Sequence, residues 1–184
     1  GITPELLESR WKEYLLKSFL THPPDLIGIT CMFTMTHPVM LRIAEFSKLN
    51  LPKIPIIAGG VHVTNAAKIV LNETDNIDFL SLYEGDDSFC TAVEVGIGKV
   101  SEINLNQIAT KIDGSFIGLN LKKPLPPTDL DAIPDYQSLP IEDYSRLGEI
   151  GTFRFWRSPS AKGSAILANR GCRAACTFCS VRNF

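Results

Sequence analysis

Ile54-Pro55-Ile56-Ile57-Ala58-Gly59-Gly60-Val61-His62-Val63-Thr64 is a short apolar run that ends in paired glycines and gives way to a helical pattern. Unbroken Ile and Ala, with no polar alternation, predict a strand buried on both faces. Gly59-Gly60 closes that strand, and a helix is expected from about Thr64 to Glu73. The same unit recurs on either side. Upstream, Asp25-Leu26-Ile27-Gly28-Ile29-Thr30 reads as a strand with a loop, Cys31 to Thr36, at its carboxyl end. A helix from about His37 to Asn50 follows, with Val39, Met40, Ile43, Ala44, Phe46 and Leu49 on its inner face. Downstream, Ile77 to Leu82 is a third strand, Tyr83-Glu84-Gly85-Asp86-Asp87 caps it, and Ser88 to about Gly96 is helical. Strands and helices alternating through short loops predict an α/β fold with a parallel sheet covered on both faces.

Outward from this centre the pattern changes. Thr3-Pro4-Glu5 opens an N-terminal helix, with Thr as N-cap, Pro in the first turn and an acid at the positive end. Leu6, Leu7, Trp11, Leu15, Leu16, Phe19 and Leu20 recur near helical period, and Pro23-Pro24 ends the helix. Gln107 to Leu119 predicts a hairpin turning at Asp113-Gly114, a pair that tolerates positive φ. Residues 121–140 contain five prolines among acids and read as a linker. Tyr144 to Lys162 fits no single pattern. Ser164-Ala165-Ile166-Leu167-Ala168 reads as one more strand, leading into Asn169-Arg170-Gly171-Cys172-Arg173-Ala174-Ala175-Cys176-Thr177-Phe178-Cys179.

The composition, 45% apolar and 21% charged over 184 residues, is that of a globular protein. A formal charge of −2 gives no reason to expect a nucleic-acid partner. No apolar run reaches the ~18 residues of a membrane span, and no signal peptide opens the chain. The cytoplasm is therefore the expected compartment. Five cysteines is an odd count that fits a disulfide framework badly.

Cys172, Cys176 and Cys179 form a soft, sulfur-rich ligand set for iron or zinc. With three thiolates, a [4Fe–4S] cluster keeps one iron free of protein, where the usual site supplies four ligands. This segment resembles the C-x3-C-x-aromatic-C signature of the radical S-adenosylmethionine (SAM) enzymes, down to Phe178 and the Arg170-Gly171 lead-in. The resemblance implies that Cys172, Cys176 and Cys179 ligate a [4Fe–4S] cluster whose open iron chelates SAM, with Phe178 near SAM. Reductive cleavage of SAM would then yield a 5′-deoxyadenosyl radical. A radical SAM barrel needs far more chain than follows Cys179, since eight strand–helix units run to ~250 residues. The chain is thus expected to be a piece of a longer enzyme, inactive by itself.

In open parallel sheets, ligands bind beyond the carboxyl ends of the strands. Three such ends carry glycine-bearing or polar loops: Thr30 to Thr34, Gly59 to Thr64, and Glu84 to Asp87. This arrangement resembles the cobalamin-binding domain upstream of the radical SAM domain in one branch of that superfamily. Residues 1–120 would be that Rossmann-like (flavodoxin-like) domain, N-terminally incomplete. Residues 121–162 would be the Pro-rich linker, and 163–184 the start of the radical SAM (β/α) barrel. Thr30, Gly59, Gly60, His62, Thr64, Glu84 and Gly85 would line the corrin. No histidine sits in an Asp-x-His-x-x-Gly motif, but that motif usually follows the first strand, which this chain lacks. It is the resemblance to the radical SAM branch that implies cobalamin bound without a protein histidine on cobalt. The family implies methyl transfer to an unactivated carbon or phosphorus of a small-molecule substrate. An electron donor such as flavodoxin or ferredoxin would reduce the cluster.

Other readings stay open on the residues alone. The superfamily also contains cyclases and methylthiotransferases. A zinc-filled or inert cysteine loop on a non-catalytic module is a further alternative, with a remote ligand such as His62 completing a zinc site. Gly59-Gly60 is by itself an ordinary strand-to-helix turn, and His62 by itself a buried, satisfied histidine. Cys31 and Cys90 read as small core hydrophobes. His22 and His37, beside prolines, read as turn or helix-start residues.

Overall fold

A computed structural model describes residues 3–96, 107–119, 135, 137, 140, 174 and 176–179. The chain divides into two compact units, Gly1–Pro127 with Ala175–Phe184, and Thr128–Ala174. In the second, the Gln137 N–H donates to Asp135 Oδ1 at 3.0 Å. The expected strand at 164–168, the segment 144–162 and most of the Pro-rich stretch lie outside the described residues.

The first unit is α/β. Helix α1 (Pro4–Thr21) is followed by β1 (Ile27–Thr30), α2 (His37–Asn50), β2 (Ile56–Gly59), α3 (Val61–Asn65), α4 (Ala67–Glu73), β3 (Phe79–Ser81), α5 (Asp86–Gly96) and the hairpin β4 (Ile108–Ile112) to β5 (Ser115–Ile117). All five strands form one sheet in the order β1-β2-β3-β4-β5. β1 to β3 are parallel, with Ile29 opposite Ala58 and Ala58 opposite Leu80. β4 joins β3 antiparallel and turns at Asp113-Gly114, both at positive φ. The hairpin expected at Asp113-Gly114 therefore forms, and it extends the sheet beyond β3.

One face of the sheet is closed. Ile56, Ala58 and Leu80 bury against Met40 and Ala44 of α2, Val63 of α3, and Ala67, Val70 and Leu71 of α4. On the other face, α5 makes contact through Ser88 against Ser81 and Phe89 against Gly28. The helix expected from Thr64 begins three residues earlier, because Gly60 at φ 109° turns the chain straight out of β2. A break at Ala66 then separates α3 from α4.

Helix α1 forms as its N-terminus predicts, with Thr3 Oγ1 accepting from the Leu6 N–H at 3.3 Å. Its apolar stripe does not enter the core: none of its residues is buried, and Leu20 is 82% exposed. Glu8 instead ties it to α2 by an ion pair to Arg42 at 3.1 Å, beside an edge-to-face contact of Trp11 with Phe46. Cys31 is buried as expected, but Cys90 lies on the exposed side of α5, so the core reading fails there.

Asp78 joins β2 to its surroundings. Its Oδ2 accepts from the Ile56 N–H at 2.6 Å and pairs with Lys48 Nζ at 2.8 Å. Its backbone N–H reaches the Ile56 carbonyl, and its own carbonyl accepts from Thr110 Oγ1 at 2.7 Å. Asp78→Ala strands the N–H of the fully buried Ile56. It should lower unfolding stability by about 1–3 kcal/mol in urea denaturation; a loss under about 0.5 kcal/mol, the range of ordinary surface changes, would refute the assignment.

Candidate functional site

The open face of the sheet forms a cleft of about 530 Å³ at the carboxyl ends of β1 to β3. Gly28, Thr30, Ile57, Gly59 and Ser81 line it from the strands, Gly60, Tyr83 and Gly85 from the loops, and Phe89 from α5. Glycines make the space. A Cβ at Gly28 would come within 3.0 Å of the Phe89 ring, and one at Gly59 within 3.4 Å of Ser81. Ser81 supplies a polar group to this wall, and its hydroxyl is 2.6 Å from that of Ser88 on α5. A second cleft, about 670 Å³, runs along α1 between Leu16, Leu20 and Phe46, and no strand end contributes to it.

The loop after β3 is pinned from two sides. The Tyr83 N–H donates to Thr64 Oγ1 at 2.9 Å, the Leu82 N–H to the Gln107 carbonyl at 2.8 Å, and Gln107 Nε2 to the Glu84 carbonyl at 3.1 Å. These bonds hold Tyr83 at φ 62°, a left-handed conformation that an aromatic residue rarely adopts. Thr64 and the Glu84 backbone therefore hold the cleft's wall and do not line it, whereas Thr30, Gly59, Gly60 and Gly85 do.

His62 does not line the cleft either, and both its ring nitrogens are engaged. Nδ1 is 3.2 Å from Thr34 Oγ1, and Nε2 is 2.8 Å from His37 Nδ1. His37 Nε2 in turn lies 2.7 Å from Glu73 Oε2. The two rings meet edge to face with centroids 4.9 Å apart. Desolvation, then the nearby His37, hold the His62 pKa below the ordinary imidazole range, with Glu73 opposing. His37, read from the sequence as a helix-start residue, does begin α2 but also belongs to this cluster.

Of the cysteine loop, Cys176 to Cys179 are described. Thr177 and Phe178 form a turn whose Cys179 N–H reaches the Cys176 carbonyl at 3.3 Å, with Phe178 91% exposed. Both thiols are free. Cys172 lies outside the described residues, and among those described no three His, Cys, Asp or Glu side chains converge as a metal site. No described helix is long and apolar enough to cross a membrane.

Sequence reasoning missed Gly28, Ser81, Tyr83 and Phe89 as cleft residues. Gly28 carried a usable signal, since glycine inside a strand marks a close approach. The other three depend on how α5 and the β3 loop fold back, which no local pattern encodes.

Residues 3–93 match the family model described as the B12 binding domain. The chain is 25% identical over 183 residues to cytidylyl-2-hydroxyethylphosphonate methyltransferase of Streptomyces wedmorensis, covering 88% of this chain and 33% of that protein. It is 23% identical over 158 residues to an uncharacterized methyltransferase of Pyrococcus horikoshii, covering 85% of this chain and 31% of that one. It thus spans about a third of the length of these curated relatives. No solved structure matches. Both alignments cover more of the chain than the domain match alone. The parallel strands, the strand-end cleft and the family match agree: this chain carries a B12 binding domain over residues 3–93.

Proposed function

We propose that this chain is the cobalamin-holding part and cluster loop of a cobalamin-dependent radical SAM methyltransferase, acting on an unactivated carbon or phosphorus of a small molecule. The observation that carries the reading is the glycine-walled cleft at the strand ends of a B12 binding domain. The methyltransferase names of the relatives support methyl transfer. The C-x3-C-x-Phe-C spacing of Cys172, Cys176 and Cys179 supports the radical SAM class.

The residues present fit cobalamin. Cobalamin has a broad macrocycle and a narrower nucleotide tail that ends in a flat heteroaromatic base. The cleft has the size and mixed character of a small-molecule pocket: Ile57 and Phe89 offer apolar surface, while Ser81 and Thr30 offer hydroxyls. Gly28, Gly59 and Gly85 leave the backbone bare for close approach. These residues would take the tail, and the Thr30 and Gly60 loops would meet the macrocycle. Because both His62 nitrogens are held by Thr34 and His37, His62 would orient the Gly60 loop and leave cobalt without a protein histidine. The Cys176–Cys179 turn, with two free thiols, would supply two of the three cluster ligands and Cys172 the third. When bound, cobalamin supplies a transferable methyl group, and the cluster with SAM supplies the one-electron chemistry that activates the acceptor. Low-potential electrons would come from a flavodoxin- or ferredoxin-like donor.

The complete protein, reconstituted anaerobically with iron, sulfide and hydroxocobalamin and then gel-filtered, should show broad iron–sulfur absorption with co-eluting corrin bands. Replacing Cys172, Cys176 and Cys179 with Ala should abolish the first and spare the second. Colourless, zinc-containing protein would refute the cluster. Gly59→Leu places a side chain against Ser81 in the cleft without a backbone clash. It should weaken hydroxocobalamin binding by about tenfold or more, equivalent to about 1.4 kcal/mol, with circular dichroism unchanged. Unaltered affinity would move the cofactor elsewhere. In the cob(II)alamin state, 15N-labelling of histidine should leave the EPR superhyperfine pattern unchanged; a change would place a histidine on cobalt.

A further inference from the structure

We propose that Thr34, His37, His62 and Glu73 form a proton-operated latch that ties the loop after β1 to the loop after β2. The latch is closed with no added proton or one, and opens with two. Its bearing on cobalamin rests on the function proposed above; the latch itself does not.

Hydrogen-bond chemistry leaves few arrangements. An ionised carboxylate only accepts, so His37 Nε2 donates to Glu73, and a neutral His37 then offers a lone pair at Nδ1. His62 Nε2 donates to that lone pair across 2.8 Å, and His62 Nδ1 accepts from the Thr34 hydroxyl. Every polar atom is matched with both rings neutral. One more proton is accommodated by a shift along the chain. It arrives at His62 Nδ1, the Nε2 hydrogen of His62 passes to His37 Nδ1, and Thr34 becomes the acceptor. The positive charge then rests on His37, beside Glu73. A second proton has no place. Two N–H groups would face each other across the same 2.8 Å between two cations, and the rings must part.

The groups facing this cluster come from every element around it. His37 belongs to α2, Glu73 to the end of α4, and Thr34 to the turn after β1. Behind that turn the buried Cys31 thiol lies 3.3 Å from Thr36 Oγ1. His37 and Glu73 are the charges that act on His62, and burial already disfavours its cation. The sign follows. A lowered His62 pKa contributes stability that is complete above about pH 6.5 and is lost as pH falls through the lowered value.

Opening has a structural consequence. On the inner side, backbone bonds join the loops, from the His62 N–H to the Cys31 carbonyl at 3.2 Å and from the Cys31 N–H to the Gly59 carbonyl at 2.8 Å. On the outer side, the Thr34–His62 and His37–His62 contacts join α3 to the turn and to α2. Their loss frees a turn that displays Met32, Phe33 and Met35 next to the cleft residue Thr30.

The test is imidazole 15N NMR of the full chain across pH 4.5–8. His37 and His62 should both be Nε2–H tautomers at high pH and titrate in two coupled steps, the second below the ordinary imidazole range. Amide exchange of residues 32–36 should rise at the second step, and Glu73→Gln should move the first step to lower pH. Independent single-step titrations of the two rings would overturn the latch, as would exchange that ignores the second step. Hydroxocobalamin affinity is read in parallel. It should fall by about tenfold per pH unit below the second step, and His62→Gln should flatten that slope. Binding that is independent of pH would refute the coupling. Absence of binding at every pH would refute the cobalamin reading, leaving the NMR titration to decide the latch.

Discussion

Gly60 approaches Cys31 so closely that no side chain could stand between them: a Cβ there would lie 2.6 Å from the Cys31 carbonyl oxygen. Its φ of 109° is equally closed to other residues. Through this contact the β1–β2 pairing continues past the last strand residue, from Cys31 to Gly59 and from His62 back to Cys31. The chain then turns directly into α3, which puts His62 over the loop that carries Thr34. The rim of the cleft and the Thr34–His62–His37–Glu73 chain both follow from this one backbone approach.

The two faces of the sheet are built on opposite principles. Ile56, Ala58 and Leu80 meet helices α2 to α4 in continuous apolar contact, and burial of that surface is what holds the unit together. On the other face, Gly28, Gly59 and Ser81 withdraw side-chain volume where a structural sheet would place branched residues. Glycine within a strand costs about 0.5–1 kcal/mol relative to alanine. That cost is offset elsewhere, by the Asp78 bonds that fix β2 and by the β4–β5 hairpin that covers the far edge of β3. A sheet made weaker where it is open and stronger at its edge is the arrangement expected of a binding face.

Most of the α/β alternation was legible because β2 is an apolar run closed by Gly59-Gly60, with shorter apolar stretches at β1 and β3. On α2, Met40, Ile43, Ala44 and Phe46 face inward, although Val39 and Leu49, expected on the same face, are exposed. The Asp113-Gly114 hairpin was legible for its turn chemistry, but its place in the sheet was not, since pairing partners distant in sequence leave no local trace. The stripe on α1 misled, because helical period reports amphipathicity and says nothing about whether a partner surface is present. Cys90 misled in the same way: a small apolar residue on a helix is as readily outside as in. At the site, the loop glycines announced themselves, while Ser81, Tyr83 and Phe89 gained their positions from tertiary folding.

His62 shows how far adjacency to a glycine pair carries. From the sequence, His62 reads as lining the corrin without bonding cobalt, or as a buried, satisfied histidine. In the structure both of its ring nitrogens are hydrogen-bonded to protein, to Thr34 and to His37. Under the proposed function, a cofactor that takes no bond from His62 must be held by shape, through bare backbone at Gly28, Gly59 and Gly85 and the fixed wall at Tyr83. Holding by shape demands that the loops keep their spacing in the absence of a metal–ligand bond to set it. In that reading the paired histidines, which lie outside the cleft lining, would stiffen its rim through their contacts to Thr34 and Glu73.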